Sequence, residues 1–183
     1  SDVCSSDLDQ RAELQIPPFV TVGGGSLGPG FLGMQWSPFS VNSNGQVRNL
    51  EMGIPENHLY QRMKALEVIE RGFIEQKRGP AASDHAKVLE KTVNLMTSAQ
   101  MEAFKVTKEP KDVQDRYGND GFGRGCLMAR RLVEAGVPFV EVDLGGWDNH
   151  NGIFNILQNQ RLPVLDRAMS ALVEDLEKRG MLQ

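Results

Sequence analysis

The stretch from Gly121 to Gly180 constrains the fold most, because a helical pattern, a β-prone run and a second helical pattern follow one another in it. The β-prone run, Val137 to Val142, is short and apolar, which suits a buried strand. The second helical pattern repeats apolar residues at spacings of three and four: Leu162, Leu165, Met169, Leu172 and Leu176. Helix, strand, loop and helix in this order predict an α/β protein.

The charged residues of the same stretch are predicted to face solvent. Arg130 and Arg131 lie outside the apolar helix face that Leu127, Met128, Leu132 and Val133 form. The charges of the last helix are likewise predicted to form a solvated face: Glu174, Asp175, Glu177, Lys178 and Arg179.

Upstream, Pro17 to Val22 predicts a short strand, and Val47 to Met52 is a second strand candidate. The glycine-rich segment from Gly23 to Gly30 is predicted to be a surface loop, since no helical pattern follows it to make a phosphate cradle. Helices are predicted to start at Pro55, Ser83 and Ser98, and Pro110 is predicted to start a short turn that ends near Tyr117.

Composition excludes some classes of partner. The formal net charge of the 183 residues is −4 and no basic face stands out, so we expect no nucleic-acid partner. No apolar run approaches the roughly 20 residues that cross a bilayer, so we expect no membrane span. Cys126 lies inside a predicted helix and is expected to be a small buried residue.

The loop from Asp143 to His150 holds the side chains that fit chemistry best. It follows a predicted strand, and sites in α/β sheets collect at the carboxyl ends of strands. Asp148 and His150 are two positions apart, which places both side chains on one side of an extended backbone. Carboxylate oxygen and imidazole nitrogen are common ligands of zinc and similar ions, so Asp148, His150 and Asp143 are candidate metal ligands.

Gly145 and Gly146 would let this loop turn tightly beside a ligand, and Trp147 could wall the pocket. The alternative is a plain loop in which Asp148 caps local backbone amides and His150 points at water. His58 and His85 are predicted to be ordinary helix-surface residues. Arg124 is a weaker candidate for holding an anion.

The sequence resembles a known family. Four stretches carry the resemblance: 115–118, 122–123, 127–137 and above all 145–150, which reads Gly-Gly-Trp-Asp-Asn-His. Segments 28–33, 165–168 and 176–180 continue it. They are similar to the domain-of-unknown-function family 1501, which is placed among alkaline-phosphatase-like and sulfatase-like proteins. The resemblance covers residues 11 to 183.

The resemblance implies a parallel-rich α/β sandwich, of which this chain would be a part, with the helical region of about 55–117 as an insertion that caps the sheet. It implies metal-dependent hydrolysis of phosphate or sulfate esters, with small-molecule or glycan esters as substrates and zinc, manganese or calcium as the divalent metal. Asp148 and His150 match a metal-binding pair of the phosphatases, although that pair is spaced by three residues there and by one here. The other interpretation is a non-catalytic binding or cell-surface module on the same fold.

Both ends of the chain suggest a piece of a longer protein. Residues 1–8 read like a translated sequencing adapter, and the chain stops soon after a predicted helix end at Gly180. We therefore expect a fragment of one domain over residues 9–183, inactive by itself, with the nucleophile outside it. Many members of the family carry twin-arginine export signals and occur in planctomycetes and related bacteria, which implies a periplasmic parent protein.

Overall fold

The computed structural model describes residues 14–24, 28, 37–43, 57–58, 60–62, 64–66, 68, 95 and 98–182. The chain is a mixed α/β protein with a small parallel sheet and several helices. Residues 1–8, the predicted strand at 47–52, most of the glycine-rich loop and the predicted helix at Ser83 with His85 lie outside the described residues. Residues 57–58 are helical, and His58 is exposed, as predicted.

Among the described residues the sheet contains three parallel strands in the order β2-β1-β3. Strand β1 (Phe19–Val22) lies in the middle, with β2 (Phe39–Val41) on one side and β3 (Phe139–Val142) on the other. Val20 pairs with Phe39 in β2 and with Val140 in β3. The strand predicted after Pro17 is confirmed, and its last three residues are fully buried because both edges of β1 are paired.

The prediction of a buried strand over Val137 to Val142 is wrong in two respects. Strand β3 begins only at Phe139, which is 55% exposed, and the rest of the strand is half-buried. Val137 is buried, but it belongs to the end of the preceding helix, where its amide donates to the carbonyl of Leu132 at 2.9 Å. Gly136, with a φ of 97°, makes this helix end possible.

Two helices lead up to β3. Helix α1 (Lys111–Tyr117) begins after Pro110 and ends at Gly118, where the sequence predicts only a short turn, and helix α2 (Gly121–Glu134) follows. Two short 3-10 helices precede α1 in the chain. The first (Ala99–Phe104) is capped by Ser98, and the second (Val106–Lys108) lies between the first and α1. Helix α2 lies close to the sheet, since a methyl group added to Gly125 would stand 2.8 Å from Cγ1 of Val142.

The helical segment after the Asp143–His150 loop starts earlier than predicted. Helix α3 (Ile153–Ile156) continues through a π-helical turn (Leu157–Arg161) into helix α4 (Leu162–Lys178). Pro163 explains the π turn, because it has no amide to donate and its ring would clash with the carbonyl four residues earlier in a regular α-helix. The wider turn keeps the chain helical across this position.

Helix α4 packs against α1 and α2. Together with the sheet these helices enclose the core, whose largest fully buried side chains include Tyr117, Phe104, Leu127, Met128 and Leu132. Within the described ranges, no helix is both long enough and apolar enough to cross a membrane.

The prediction that Arg130 and Asp175 face solvent is wrong, because each residue is only 2% exposed. Arg130 forms ion pairs of 2.8 Å with Glu109 and with Glu134, and its Nε lies 3.8 Å from Oδ2 of Asp175. We call Arg130, Asp175, Glu109 and Tyr117 the buried ionic cluster. Charges can lie inside the protein here because each has an opposite charge or a hydrogen-bond partner in contact. Val133, predicted to be on the buried face of α2, is 36% exposed instead.

Candidate functional site

The candidate site lies where the parallel strands end. The amide of Asp143, just after β3, donates to the carbonyl of Val22 at the end of β1 with a distance of 3.0 Å. The amide of Gly23 donates to the carbonyl of Val41 at the end of β2, also at 3.0 Å. The three segments that leave the sheet therefore start side by side at its carboxyl edge, where α/β proteins place their sites.

Gly23 permits a close approach of the first and third of these segments. Its φ is +98°, and a methyl group at this position would come within 3.3 Å of the carbonyl oxygen of Asp143. The glycine-rich loop therefore begins against the backbone of the Asp143–His150 loop. The sequence showed the glycines but not this contact, because Gly23 and Asp143 are far apart along the chain.

Asp148 and His150 lie together in the structure. Nε2 of His150 is 3.0 Å from Oδ1 of Asp148. The side chain of His150 is 82% exposed and that of Asp148 is 89% exposed. The contact agrees with the expectation from the two-residue spacing that both side chains lie on one side of the loop. Both side chains are therefore accessible to a ligand from solvent.

Local hydrogen bonds fix the backbone around this pair. The indole nitrogen of Trp147 donates to the carbonyl of Leu144 at 2.6 Å, and the side-chain amide of Asn149 donates to the carbonyl of Gly146 at 2.9 Å. Trp147 stays 44% exposed, so a large part of this apolar side chain is accessible to solvent one residue before Asp148. Gly146 lies in the segment that these two hydrogen bonds span, and its φ is +81°.

Asp143 also lies at this edge, and its side chain is directed along the loop. A methyl group added to Gly145 would stand 3.6 Å from Oδ2 of Asp143. No cluster of three or more Asp, Glu, His or Cys side chains able to hold a metal occurs in the part of the chain that the structure describes. The structure brings together Asp148 and His150 and leaves Asp143 outside that pair.

Arg161 is a residue of the site that the sequence analysis did not identify. It ends the π-helical turn, and its guanidinium lies against Gly146, where an added methyl group would overlap Nη2. The sequence gives no signal for it, because the apolar spacing that predicts the last helix begins only at Leu162. Arg124, the other arginine considered, donates to the carbonyl of Asn119 in the turn before α2.

The second strand also contributes a polar group near the edge. Asn42 follows β2 directly, and its Oδ1 is buried without a hydrogen-bond partner among the described residues. Next to it, Ser43 lies against the first turn of α2, where a methyl group on Gly121 would stand 2.9 Å from its Oγ.

The Asp148–His150 pair fits two of the ligands of a divalent metal. At 3.0 Å the imidazole and the carboxylate are at hydrogen-bond distance; two ligands of a tetrahedral zinc ion, each at about 2.0–2.2 Å, would stand about 3.4 Å apart, so the pair would have to exchange its direct contact for bonds to the metal. Asp148 would supply an oxygen and His150 its Nε2. Further ligands would be required to complete the coordination of such an ion.

The fold and the loop define this chain as an α/β protein with a polar site at the carboxyl edge of a parallel sheet. The chain belongs to the family described as "Protein of unknown function (DUF1501)", whose family model matches residues 5–183. Comparisons with curated proteins and with solved structures found no match. The reading of residues 1–8 as an adapter sequence stays a prediction.

Proposed function

We propose that the chain carries part of a metal-dependent site for hydrolysis of phosphate or sulfate esters, in an alkaline-phosphatase-like domain. The observation that supports this most is the 3.0 Å contact between Asp148 and His150 on a loop at the carboxyl edge of the sheet. When bound, a divalent metal at such a pair polarises an ester oxygen and lowers the pKa of a bound water. Zinc, manganese and calcium are the metals to test.

Each group at this edge has a part in the proposal. Asp148 and His150 hold the metal, and Asp143 stands close enough in sequence to be recruited. The hydrogen bonds of Trp147 and Asn149 keep the pair on one side of the loop before any metal binds. The helical region of about 55–117 would cap the sheet and shape access for a small-molecule or glycan ester.

The test is the metal content of the purified protein after dialysis against each metal in turn. We expect bound divalent metal in the unmodified protein and a loss of at least about tenfold in affinity in Asp148→Ala and in His150→Ala, because each removes a direct ligand. His58→Ala and Asp166→Ala are the matched controls, since both residues are exposed. Metal that binds equally well in all four variants would exclude this pair as the site.

A non-catalytic binding module is the second candidate, and the geometry of Trp147 favours it. The residue is 44% exposed and its indole nitrogen already donates to the carbonyl of Leu144, so the exposed part of the aromatic side chain is available to stack on a ligand. A Trp147→Ala variant that loses ligand binding while metal is absent from the unmodified protein would support this candidate over hydrolysis.

A further inference from the structure

The contact between Arg161 and Gly146 places a cation at the candidate site. Gly146 is the second of the two glycines in the Asp143–His150 loop. Because it has no side chain, the Arg161 guanidinium can occupy the space beside its Cα. Glycine is needed twice here, for its φ of +81° and for this space. The guanidinium therefore contacts a residue two positions before Asp148, and it forms no ion pair with Asp148.

Arg161 has no counter-ion within the described ranges. Four other arginines of the chain pair with carboxylates: Arg116, Arg130, Arg131 and Arg179. Arg161 forms no such pair in the part of the chain that the structure describes, and its Nε is buried without a hydrogen-bond partner there. Arg161 is half-buried, and the Nε atoms of Arg116 and Arg130 lack a hydrogen-bond partner in the same way, but those two side chains have carboxylates in contact and Arg161 has none among the described residues, so its guanidinium is open to an acceptor supplied by a ligand.

The π turn explains how Arg161 reaches this position. The turn widens the helix from Leu157 to Arg161 ahead of Pro163, so the direction of the Arg161 side chain differs from that in a regular helix. Turns of this kind are rare and occur frequently at functional sites. Arg161 is thus held by a backbone irregularity, and a planar guanidinium matches the paired oxygens of phosphate or sulfate.

We propose that Arg161 binds the oxyanion of the ligand, a phosphate or sulfate group, against the Gly145-Gly146 turn. This inference deepens the proposed function, on which it rests for the ester, by naming the residue that holds the anionic half of the substrate. Arg161 acts as a binding residue, and Asp148 and His150 lie on the neighbouring part of the same loop.

The test is a titration of the isotope-labelled protein with inorganic sulfate and, separately, inorganic phosphate, followed by amide NMR. Sodium chloride keeps the ionic strength constant, and EDTA removes metal, so the result does not depend on the metal site. We expect the amide signals of Gly145, Gly146 and Arg161 to shift together. Arg161→Gln should weaken binding by about tenfold or more, because it removes hydrogen bonds from a charged donor.

Two further variants make the test specific. Arg161→Lys keeps the charge but loses the planar fork, so its affinity should fall between those of the unmodified protein and Arg161→Gln. Lys178→Gln removes one positive charge at the far end of α4, about 25 Å away along the helix, and should leave the affinity unchanged. The same spectra show whether each variant is folded.

Each outcome separates the two proposals. Sulfate binding alone would indicate a sulfate ester, and phosphate binding alone a phosphate ester. Equal affinity in Arg161→Gln and the unmodified protein, or no binding beyond the chloride control, would overturn the inference while leaving the metal site to its own test. Anion binding that depends on Arg161 in a protein without metal affinity would keep the inference and remove the hydrolase proposal.

Discussion

The hydroxyl of Tyr117 donates a 3.0 Å hydrogen bond to Oδ2 of Asp175, so that the last residue of α1 is joined to the last turn of α4. Burial, followed by the neighbouring carboxylate, raises the pKa of Tyr117, which keeps the phenol protonated as a donor. Arg116 pairs with the other oxygen of Asp175. One carboxylate thus connects two helices through both of its oxygens.

Replacing Asp175 should destabilise the protein more than any exposed charge change on the same helix. Asp175→Asn leaves the nearby guanidiniums without their buried partner, and we expect a loss of about 3 kcal/mol in the free energy of unfolding. Tyr117→Phe removes one hydrogen bond to a charged acceptor and should cost about 1.5 kcal/mol. Urea unfolding measures both. Glu177→Gln, on the exposed side of α4, should stay within about 0.5 kcal/mol, and an equal loss there would argue against a specific role for the cluster.

Acid should weaken the buried ionic cluster in a defined pH range. Burial raises the pKa of Glu109, but the hydrogen bonds from Arg130 and Arg131 lower it more, and the net pKa lies below its usual value. A carboxylate with a lowered pKa in the folded state stabilises that state fully above the unfolded pKa of about 4.3, and this stabilisation is lost as the pH falls through the folded value. We expect the free energy of unfolding to fall below about pH 4.3.

The Glu109→Gln variant tests this assignment. It should be less stable than the unmodified protein near neutral pH and should show a shallower fall in acid, because it has no carboxylate to protonate there. Urea unfolding across the acid range gives both slopes. Identical slopes would mean that other carboxylates determine the acid response.

Alanine at Gly146 should cost more than alanine at another glycine with a similar backbone. Gly152 has a φ of +62° and open space around it, so Gly152→Ala pays only the left-handed strain of about 1–2 kcal/mol. Gly146→Ala pays this strain and must also displace the Arg161 guanidinium. Thermal or urea unfolding of both variants should show the larger loss at Gly146.

A double-mutant cycle with Arg161→Ala isolates this contact. In that background Gly146→Ala should cost about as much as Gly152→Ala, because the displaced group is gone. If the extra cost at Gly146 persists without the Arg161 side chain, the guanidinium does not lie where the structure places it.

The thiol of Cys126 should be almost unreactive in the folded protein. Burial, with a smaller contribution from the charge of Asp120, raises its pKa to about 12. Near pH 8 the thiolate is then roughly a thousandfold rarer than in an unfolded chain. Because the folded pKa is raised, the stability is complete below the unfolded value of about 8.5 and decreases as the pH rises towards the folded one.

Ellman's reagent measures this thiol in a Cys4→Ser variant, which leaves Cys126 as the single cysteine. We expect slow labelling in buffer and rapid labelling in urea. Rapid labelling of the folded variant would show that helix α2 opens locally or that Cys126 is less buried than described.

The sequence predicted elements whose signals are local. The strand after Pro17, the helix capped by Ser98 and the helix end at Gly136 all depend on neighbouring residues, and all three are confirmed. Strand β2 was missed because its three residues, with an exposed Ser40 in the middle, do not form a recognisable run.

The errors concern contacts between distant parts of the chain. A helical pattern assigns charged residues to the solvent side, yet Arg130 lies inside because Glu109 and Asp175 reach it from other elements. The Asp148–His150 pair was accessible to sequence reasoning because its spacing is local. Arg161 was not, because a π turn cannot be predicted from apolar spacing and its contact with Gly146 depends on the fold.

The parallel sheet also has a consequence for how the protein is made. Val20 in the central strand pairs with Val140, 120 positions later, whereas Phe39 in β2 is only 19 positions away. At about 5–20 residues per second, a ribosome leaves β1 without its second neighbour for on the order of ten seconds. During that interval the apolar edge of β1 is open to other nascent chains, so slow translation or scarce chaperones should reduce the soluble yield before they affect the stability of the finished protein.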